Sequence, residues 1–338
     1  MSPAEATELL GHAAAAESFA AAWGSGRLHH AWLIGGPPGI GKATLAYRAA
    51  RWVLAGGPAS EETFGLASSH PVFRKVAGGS HPDLRVVERA ENAKTGRLYS
   101  EIRVDDIRAM TDFLRLTGAE SPWRVAIIDP ADELSTEAAN ALLKILEEPP
   151  PKALILLVSH TPARLLPTIR SRCRRLMLSP LPKADVAALL ARLAPALPAA
   201  EAEASAALSG GSIGRALALA EGGAAELSAA IGRVFQGLPA LDQAAAHALA
   251  DRLARPGAEE GFALFMGLVR DRLAALAKAA ATGRADAVAR LRPLEEWGTL
   301  WEKVGRMARL ADALNLDRKQ AVLSVLQALR PGAALDAP

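Results

Sequence analysis

Seven residues, Gly36-Pro37-Pro38-Gly39-Ile40-Gly41-Lys42, fit the spacing G-x-x-x-x-G-K. In that pattern glycines let the backbone turn its amides inward around phosphate oxygens, and a lysine meets the outer phosphates. The two groups that phosphoryl transfer would need next are missing. Position 43 is Ala43, where a hydroxyl would hold Mg²⁺. Asp129 is delivered by the apolar run Val125-Ala126-Ile127-Ile128 as a metal-binding carboxylate would be, but Pro130 follows it instead of an acid that could orient water. Thr44 projects roughly 100° further round a helix than its neighbour and is a poor substitute for the missing hydroxyl. The chemistry expected is therefore nucleotide phosphate binding without hydrolysis. Asp132 and Glu133, past the strand end, read as a solvated pair at a helix entry.

Arg170 and the string Ser171-Arg172-Cys173-Arg174-Arg175 form the sharpest basic cluster in the chain, which on its own reads as a solvated face. Cys173 is the single cysteine, so a disulfide framework and any cysteine-based zinc site are excluded, and it reads as a small buried hydrophobe. The seven histidines, among them His29, His30, His70, His81 and His160, have no ligand-like spacing. No metal is assigned to them.

These groups need elements to hold them. Helical spacing runs from about Glu5 to Trp23, Ala31 to Ile34 reads as a buried strand, and Thr44 to Leu54 as the helix after the glycine loop. Strand, loop, helix is the context that the phosphate-loop motif requires. Ala55 to His81, rich in glycine, reads as a long irregular insertion. Then come a strand at Asp83–Val87, a helix at Ile102–Leu116 and a strand at Arg124–Asp129. Ser135 is placed to cap a helix that carries Ala138, Ala141, Leu142, Ile145 and Leu146 on one face, and a strand follows at Leu154–Val158. Alternation of strand and helix to about Ser179 predicts a doubly wound parallel sheet with its ligand crevice at the strand ends. Beyond Leu181 only helices are expected: Lys183–Leu193, Ala202–Leu208, Ile213–Glu221, and more from 225 to 330, broken at Pro239, Arg255-Pro256-Gly257, Gly283 and Pro293.

A chain of 338 residues suggests two or three domains. The balance of 39 basic against 36 acidic residues is too even to argue for nucleic-acid binding by itself. Glu5, Glu8 and Glu17 precede any basic residue, the reverse of a secretory signal. The longest aliphatic stretch, Ala153 to Val158, is far short of the roughly 20 residues of a membrane span. With the lone cysteine, this points to an untargeted cytoplasmic protein.

The glycine loop, Asp129, the string Asn140-Ala141-Leu142-Leu143-Lys144-Ile145-Leu146-Glu147-Glu148-Pro149-Pro150 and Ser171-Arg172-Cys173 together closely resemble the clamp-loader branch of the AAA+ ATPases. Asn315-Leu316-Asp317-Arg318-Lys319 and the missing catalytic residues look most like the family's non-hydrolysing stator member. The resemblance covers essentially the whole chain. It implies an α/β fold of the AAA+ kind: a doubly wound parallel sheet with a nucleotide-binding domain at 1–179, a small helical lid at 180–224, and an all-α C-terminal collar at 225–338. It further implies a subunit of the bacterial DNA polymerase III machinery that neither polymerises DNA nor hydrolyses ATP. The implied partners are gamma/tau and delta subunits in a hetero-pentamer, with sliding clamp and primer-template DNA reached through that complex. ATP or ADP would be held by Gly36, Gly39, Gly41, Lys42, Thr44 and Asp129. Arg215, in the lid-like string Gly211-Ser212-Ile213-Gly214-Arg215, would face the same pocket. Arg172 would act in trans on ATP bound by the neighbouring gamma or tau subunit. Many relatives carry a four-cysteine zinc module after the first helix; the matching insertion here has no cysteine, so no zinc is expected. An active motor of the gamma/tau type is the competing reading, and Ala43 and Pro130 argue against it. A free-standing nucleic-acid-binding protein, to which Lys144 and Arg170–Arg175 could contribute, is disfavoured by the even charge.

Overall fold

The computed structural model describes residues 2–57, 63–91, 96, 98–221, 224–255, 258–283, 287–314 and 316–333. Asn315, Pro256, Gly257 and part of the 55–81 insertion, all singled out above, lie outside the described residues. The chain divides into two units, Met1–Pro195 with Ser209–Arg215, and Ala196–Leu208 with Ala216–Pro338.

The first unit runs α1 (Ala13–Gly24), β1 (Ala31–Gly35), α2 (Lys42–Leu54), α3 (Pro71–Ala77), β2 (Leu84–Val87), α4 (Val104–Arg115), β3 (Arg124–Ile128), α5 (Thr136–Glu147), β4 (Ala153–Ser159), α6 (Pro167–Ser171), β5 (Arg174–Met177) and α7 (Lys183–Leu193). The strands form one sheet in the order β2-β3-β4-β1-β5. Every pairing is parallel. The inner strands β1, β3 and β4 are buried along their whole length, as near-continuous apolar runs demand. Their side chains alternate between two cores. Trp32, Ile34, Val125, Ile127, Leu154 and Leu156 pack with α1 and α2 residues such as Phe19, Leu45 and Val53. Leu33, Ala126, Ile128, Ile155 and Leu157 pack with Met110, Leu142, Ile145 and Ile169 of α4, α5 and α6. Ser135 caps α5 as expected, its Oγ accepting from the Ala138 amide at 3.1 Å.

Three local readings are corrected. The N-terminal helix begins at Ala13, not near Glu5, because the preceding residues give their carbonyls to α2: Arg51 donates to Ala4 and Ala6, and Arg48 donates to Thr7. The insertion contains α3, which His70 caps through Nδ1 and Pro71 starts at the first helical position. And the edge strand β5, unmarked in the sequence pattern, lies across the basic cluster. Only Leu176 of its four residues is buried.

The second unit holds α8 (Ala199–Leu208), most of α9 (Ile213–Glu221), α10 (Ala224–Gly237), α11 (Gln243–Leu253), α12 (Glu259–Ala281), α13 (Leu294–Leu314) and α14 (Arg318–Ala328). Its core is built on Phe235, Phe262, Phe265, Val304, Val322 and Trp297, whose Nε1 donates to the Ala289 carbonyl at 3.0 Å. Arg292 donates through Nη2 to the carbonyls of Ala328 (2.8 Å) and Ala333 (3.2 Å), so a buried guanidinium satisfies orphan acceptors at the end of α14. Among the described residues no helix is long and apolar enough to cross a membrane.

Asp83 fixes the start of the β2 edge. It is fully buried, and its carboxylate accepts from the amides of Ala119 (2.7 Å), Glu120 (2.7 Å) and Ser121 (2.8 Å), with Arg124 Nη2 at 3.7 Å. Burial alone would raise its pKa, but the three amides and Arg124 outweigh burial and hold the carboxyl below its ordinary value. A depressed pKa means that this stabilisation is present above the unfolded aspartate value of about 3.9 and is lost as pH falls through the folded one. Asp83→Asn should therefore destabilise the chain by about 2 kcal/mol at pH 7. In chemical denaturation the gap from wild type should narrow at pH 3.

Candidate functional site

The glycine loop follows the C-terminal end of β1 and enters α2 directly. Gly36, Gly39 and Gly41 have φ of 148°, 71° and 99°, backbone that L side chains rarely adopt. At Gly36 there is also no room for a Cβ, which would stand 2.5 Å from the Leu178 carbonyl oxygen. Gly41 caps α2 in the left-handed conformation, and the first turn of α2 carries no acidic residue, so its free amides leave a positive helix end facing the loop. Lys42, Ala43 and Thr44 open that helix. Ala43 and Thr44 are half-buried.

Lys42 is only 3% exposed, and its Nζ donates to the Pro37 carbonyl at 2.5 Å. Burial pulls its pKa down to about 8, against the attraction of Asp129 and Asp132. Asp129, at the end of β3, is pushed up to about 6 by burial and by Glu88, with Lys42 opposing and Glu133 adding to the rise. The residues present fit a phosphate: a buried cation beside a helix N-terminus is an arrangement that a bound anion stabilises.

Asp132 and Glu133 are not a solvated pair. Asp132 accepts from Ser159 Oγ at 2.7 Å and from the amides of His160 and Thr161, stitching the end of β3 to the end of β4. Glu133 pairs with Arg89 Nε at 2.6 Å. Both acids are drawn in because the ends of β2, β3 and β4 arrive side by side, an adjacency that local sequence does not display.

The lid-like string reaches the loop. Gly214 N–H donates to the Gly39 carbonyl at 3.0 Å, and a Cβ on Gly39 would meet Ser212 Oγ at 2.3 Å. Ser212 Oγ accepts from the Arg215 amide at 3.1 Å, so Arg215 lies in the first turn of α9, which meets the loop through Gly214. Loop glycines, Lys42, Thr44, Asp129 and Arg215 thus gather at the rim formed by the strands' C-terminal ends. A cavity of about 580 Å³ opens beside this rim, lined by Ser2, Tyr47, Arg85, Glu88 and Asp129 among others, and by none of the loop glycines.

Arg172 is elsewhere. It ends α6, two residues before β5 begins, at the N-terminal end of that strand. Arg174 pairs in register with Trp32, so Gly36 lies four residues further along the strand direction, about 13 Å at 3.3 Å per residue. Arg172 sits at the opposite rim from its own chain's loop. There its Nη2 pairs with Glu147 Oε1 at 2.6 Å and its Nη1 donates to the Thr168 carbonyl at 3.0 Å, while a third of the side chain stays exposed. Glu147 belongs to the Leu-Glu-Glu-Pro-Pro string, so two motifs widely separated in sequence meet in one ion pair. Cys173 is buried, which pushes its thiol up to about 12 and leaves it inert.

Residues 11–182 match the sequence profile of the family described as "DNA polymerase III, delta subunit". This chain belongs to that family. It is 42% identical over 184 residues to DNA polymerase III subunit delta' of Pseudomonas aeruginosa, covering 54% of this chain and 53% of that one. To subunit delta' of Escherichia coli it is 35% identical over 210 residues, covering 61% and 59%. Subunit gamma/tau of Mycobacterium bovis is 35% identical over 192 residues, covering 56% of this chain and 31% of that protein. The matches span about half the length of the delta' relatives. The parallel sheet with helices on both faces and the helical C-terminal part are present as the sequence led one to expect. Among the described residues no group of three or more His, Cys, Asp or Glu is arranged to hold a metal ion.

The raised pKa of Asp129 carries a stability signature. The folded chain holds that proton more tightly than the unfolded chain, so stability falls as pH rises from about 4 to about 6 and stays lower above. Asp129→Asn removes the disfavoured charge and should stabilise the protein at pH 7 by about 1 kcal/mol. Denaturant midpoints measured at pH 7 and pH 4.5 should show the gain shrinking at the lower pH; a loss of stability at pH 7 would contradict it.

Proposed function

We propose that this chain is a delta'-type stator of the DNA polymerase III clamp loader, helping to load the sliding clamp onto primed DNA. On this reading its loop takes ATP or ADP through Gly36, Gly39, Gly41, Lys42, Thr44, Asp129 and Arg215 without hydrolysing it. When bound, the nucleotide supplies phosphates to the cradle. Arg172 serves the ATP of an adjacent gamma/tau subunit, where a planar guanidinium offsets charge on the transferring phosphoryl group. Delta and gamma/tau subunits complete a hetero-pentamer in the cytoplasm, and primer-template DNA is met through that assembly. On the same reading the chain is divided into a nucleotide-binding domain (1–179), a lid (180–224) and a collar (225–338), and takes no zinc.

The observation that carries this reading is the placement of Arg172. An arginine at the rim opposite its own phosphate loop cannot serve that loop, yet it is held by Glu147 and partly exposed, as a group acting on a neighbour requires. Ala43 and Pro130 support the loss of hydrolysis, since neither can hold Mg²⁺ or orient water. The gamma/tau similarity and the complete glycine loop favour the second reading, an active ATPase.

Two measurements separate them. The purified chain should turn over no ATP above background, and turnover that disappears in Lys42→Ala would establish the motor reading instead. In a reconstituted loader, Arg172→Ala should leave assembly intact and lower ATPase activity by on the order of 10³-fold at the one site that it serves. An undiminished rate at that site would remove the trans role.

A further inference from the structure

His12 stands apart from every motif read in the sequence, yet its Nε2 lies 2.7 Å from the carbonyl oxygen of Ile40, in the middle of the glycine loop. A carbonyl only accepts, so Nε2 carries the proton and donates. The ring is 5% exposed and also packs on Gly41, where a Cβ would come 3.7 Å from Cδ2. The histidine is itself fixed on both sides. Its carbonyl accepts from the amides of Ala15 and Ala16 at 3.1 and 3.2 Å, anchoring it to the first turn of α1. The segment before it is strapped down by Arg48 and Arg51 on α2 and by the pairing of Glu8 with Arg192 on α7. Gly11 passes between them at φ +78°, where a Cβ would collide with Leu181 Cδ2 at 2.3 Å.

The peptide joining Ile40 to Gly41 is planar and trans, so its C=O and N–H point in opposite directions. Holding the Ile40 oxygen on the His12 side turns the Gly41 N–H to the other side, away from the N-terminal strap. We propose that His12 is the positioning residue of the phosphate cradle: it fixes the Ile40–Gly41 peptide in the orientation that offers the Gly41 amide to an anionic phosphate. This rests on the nucleotide-binding reading for its purpose, but the anchor itself can be tested without a nucleotide. The sequence carried no local signal for it, because the donor is 28 residues from its acceptor.

Two variants separate donation from packing. His12→Leu keeps bulk in the buried site and removes the donor; His12→Gln keeps a donor. Hydrogen exchange of the full chain should show the amides of Gly36 and Leu45, which donate to Ser159 at 3.2 Å and Gly41 at 3.0 Å at either end of the loop, opening about tenfold faster in His12→Leu, the factor that one net hydrogen bond is worth. Exchange in 153–159 serves as the control for global stability, and His12→Gln should restore most of the protection. In parallel, N-methylanthraniloyl-ADP should bind about tenfold more weakly to His12→Leu than to wild type or His12→Gln. Unchanged loop exchange in His12→Leu, or equal loss in both variants, overturns the anchor. Absence of analogue binding by the wild type overturns the nucleotide reading and the purpose given to His12, while the exchange contrast still reports whether the anchor exists.

Discussion

A sheet whose strands all run one way delivers every C-terminal strand end to one rim and every N-terminal end to the other, and the chemistry of this chain is sorted by that polarity. The glycine loop after β1, Asp129 after β3, and the Ser159–Thr161 turn after β4 share the first rim. Glu147 before β4 and Arg172 before β5 share the second. Strand direction, not sequence proximity, therefore decides which residues can cooperate within one molecule. An arginine on the rim opposite its own loop can act on a nucleotide only if a second molecule supplies that nucleotide, which is the geometric root of the stator proposal.

At the first rim the balance is between buried charges and the dipoles that satisfy them. Lys42 is nearly enclosed, and Asp129 is disfavoured as an anion by burial and by Glu88. Asp132, by contrast, is held by a hydroxyl and two amides, so its charge is absorbed into the scaffold that keeps β3 and β4 in step. The acids of this rim thus have different work. Asp132 is structural, whereas Lys42 remains a poorly solvated cation that a bound anion would stabilise, and Asp129 remains disfavoured as an anion.

Much of this was legible in the sequence wherever the cause is local. Inner strands were plain because both faces are buried, and the glycine loop because its backbone needs glycine at fixed spacing. Ser135 could be placed because a cap acts three residues away. What could not be read depends on distant partners. The strap from Ala4 to His12 has helical spacing but is extended by arginines more than 40 residues on. The ion pair of Glu147 with Arg172 and the cross-strand role of Asp132 exist only once the strand order is known. β5 escaped notice because an edge strand with one buried residue gives no hydrophobic alternation, and α3 because glycines around it masked the cap and proline that start it.

The retained loop poses a last energetic question. A lysine that is 3% exposed and whose pKa falls to about 8 loses solvation that its one carbonyl partner only partly replaces. A chain with no use for an anion would be more stable with an apolar side chain of similar length there, since removing an imperfectly compensated buried charge is often stabilising. Loss of the groups for hydrolysis therefore does not imply loss of the reason for the cradle. If nucleotide occupies it, the bound phosphates offset the buried lysine, and the contact of Gly214 with Gly39 carries that occupancy into the string that begins α9. On that view the loop is kept for what a bound nucleotide holds together and not for what its cleavage releases.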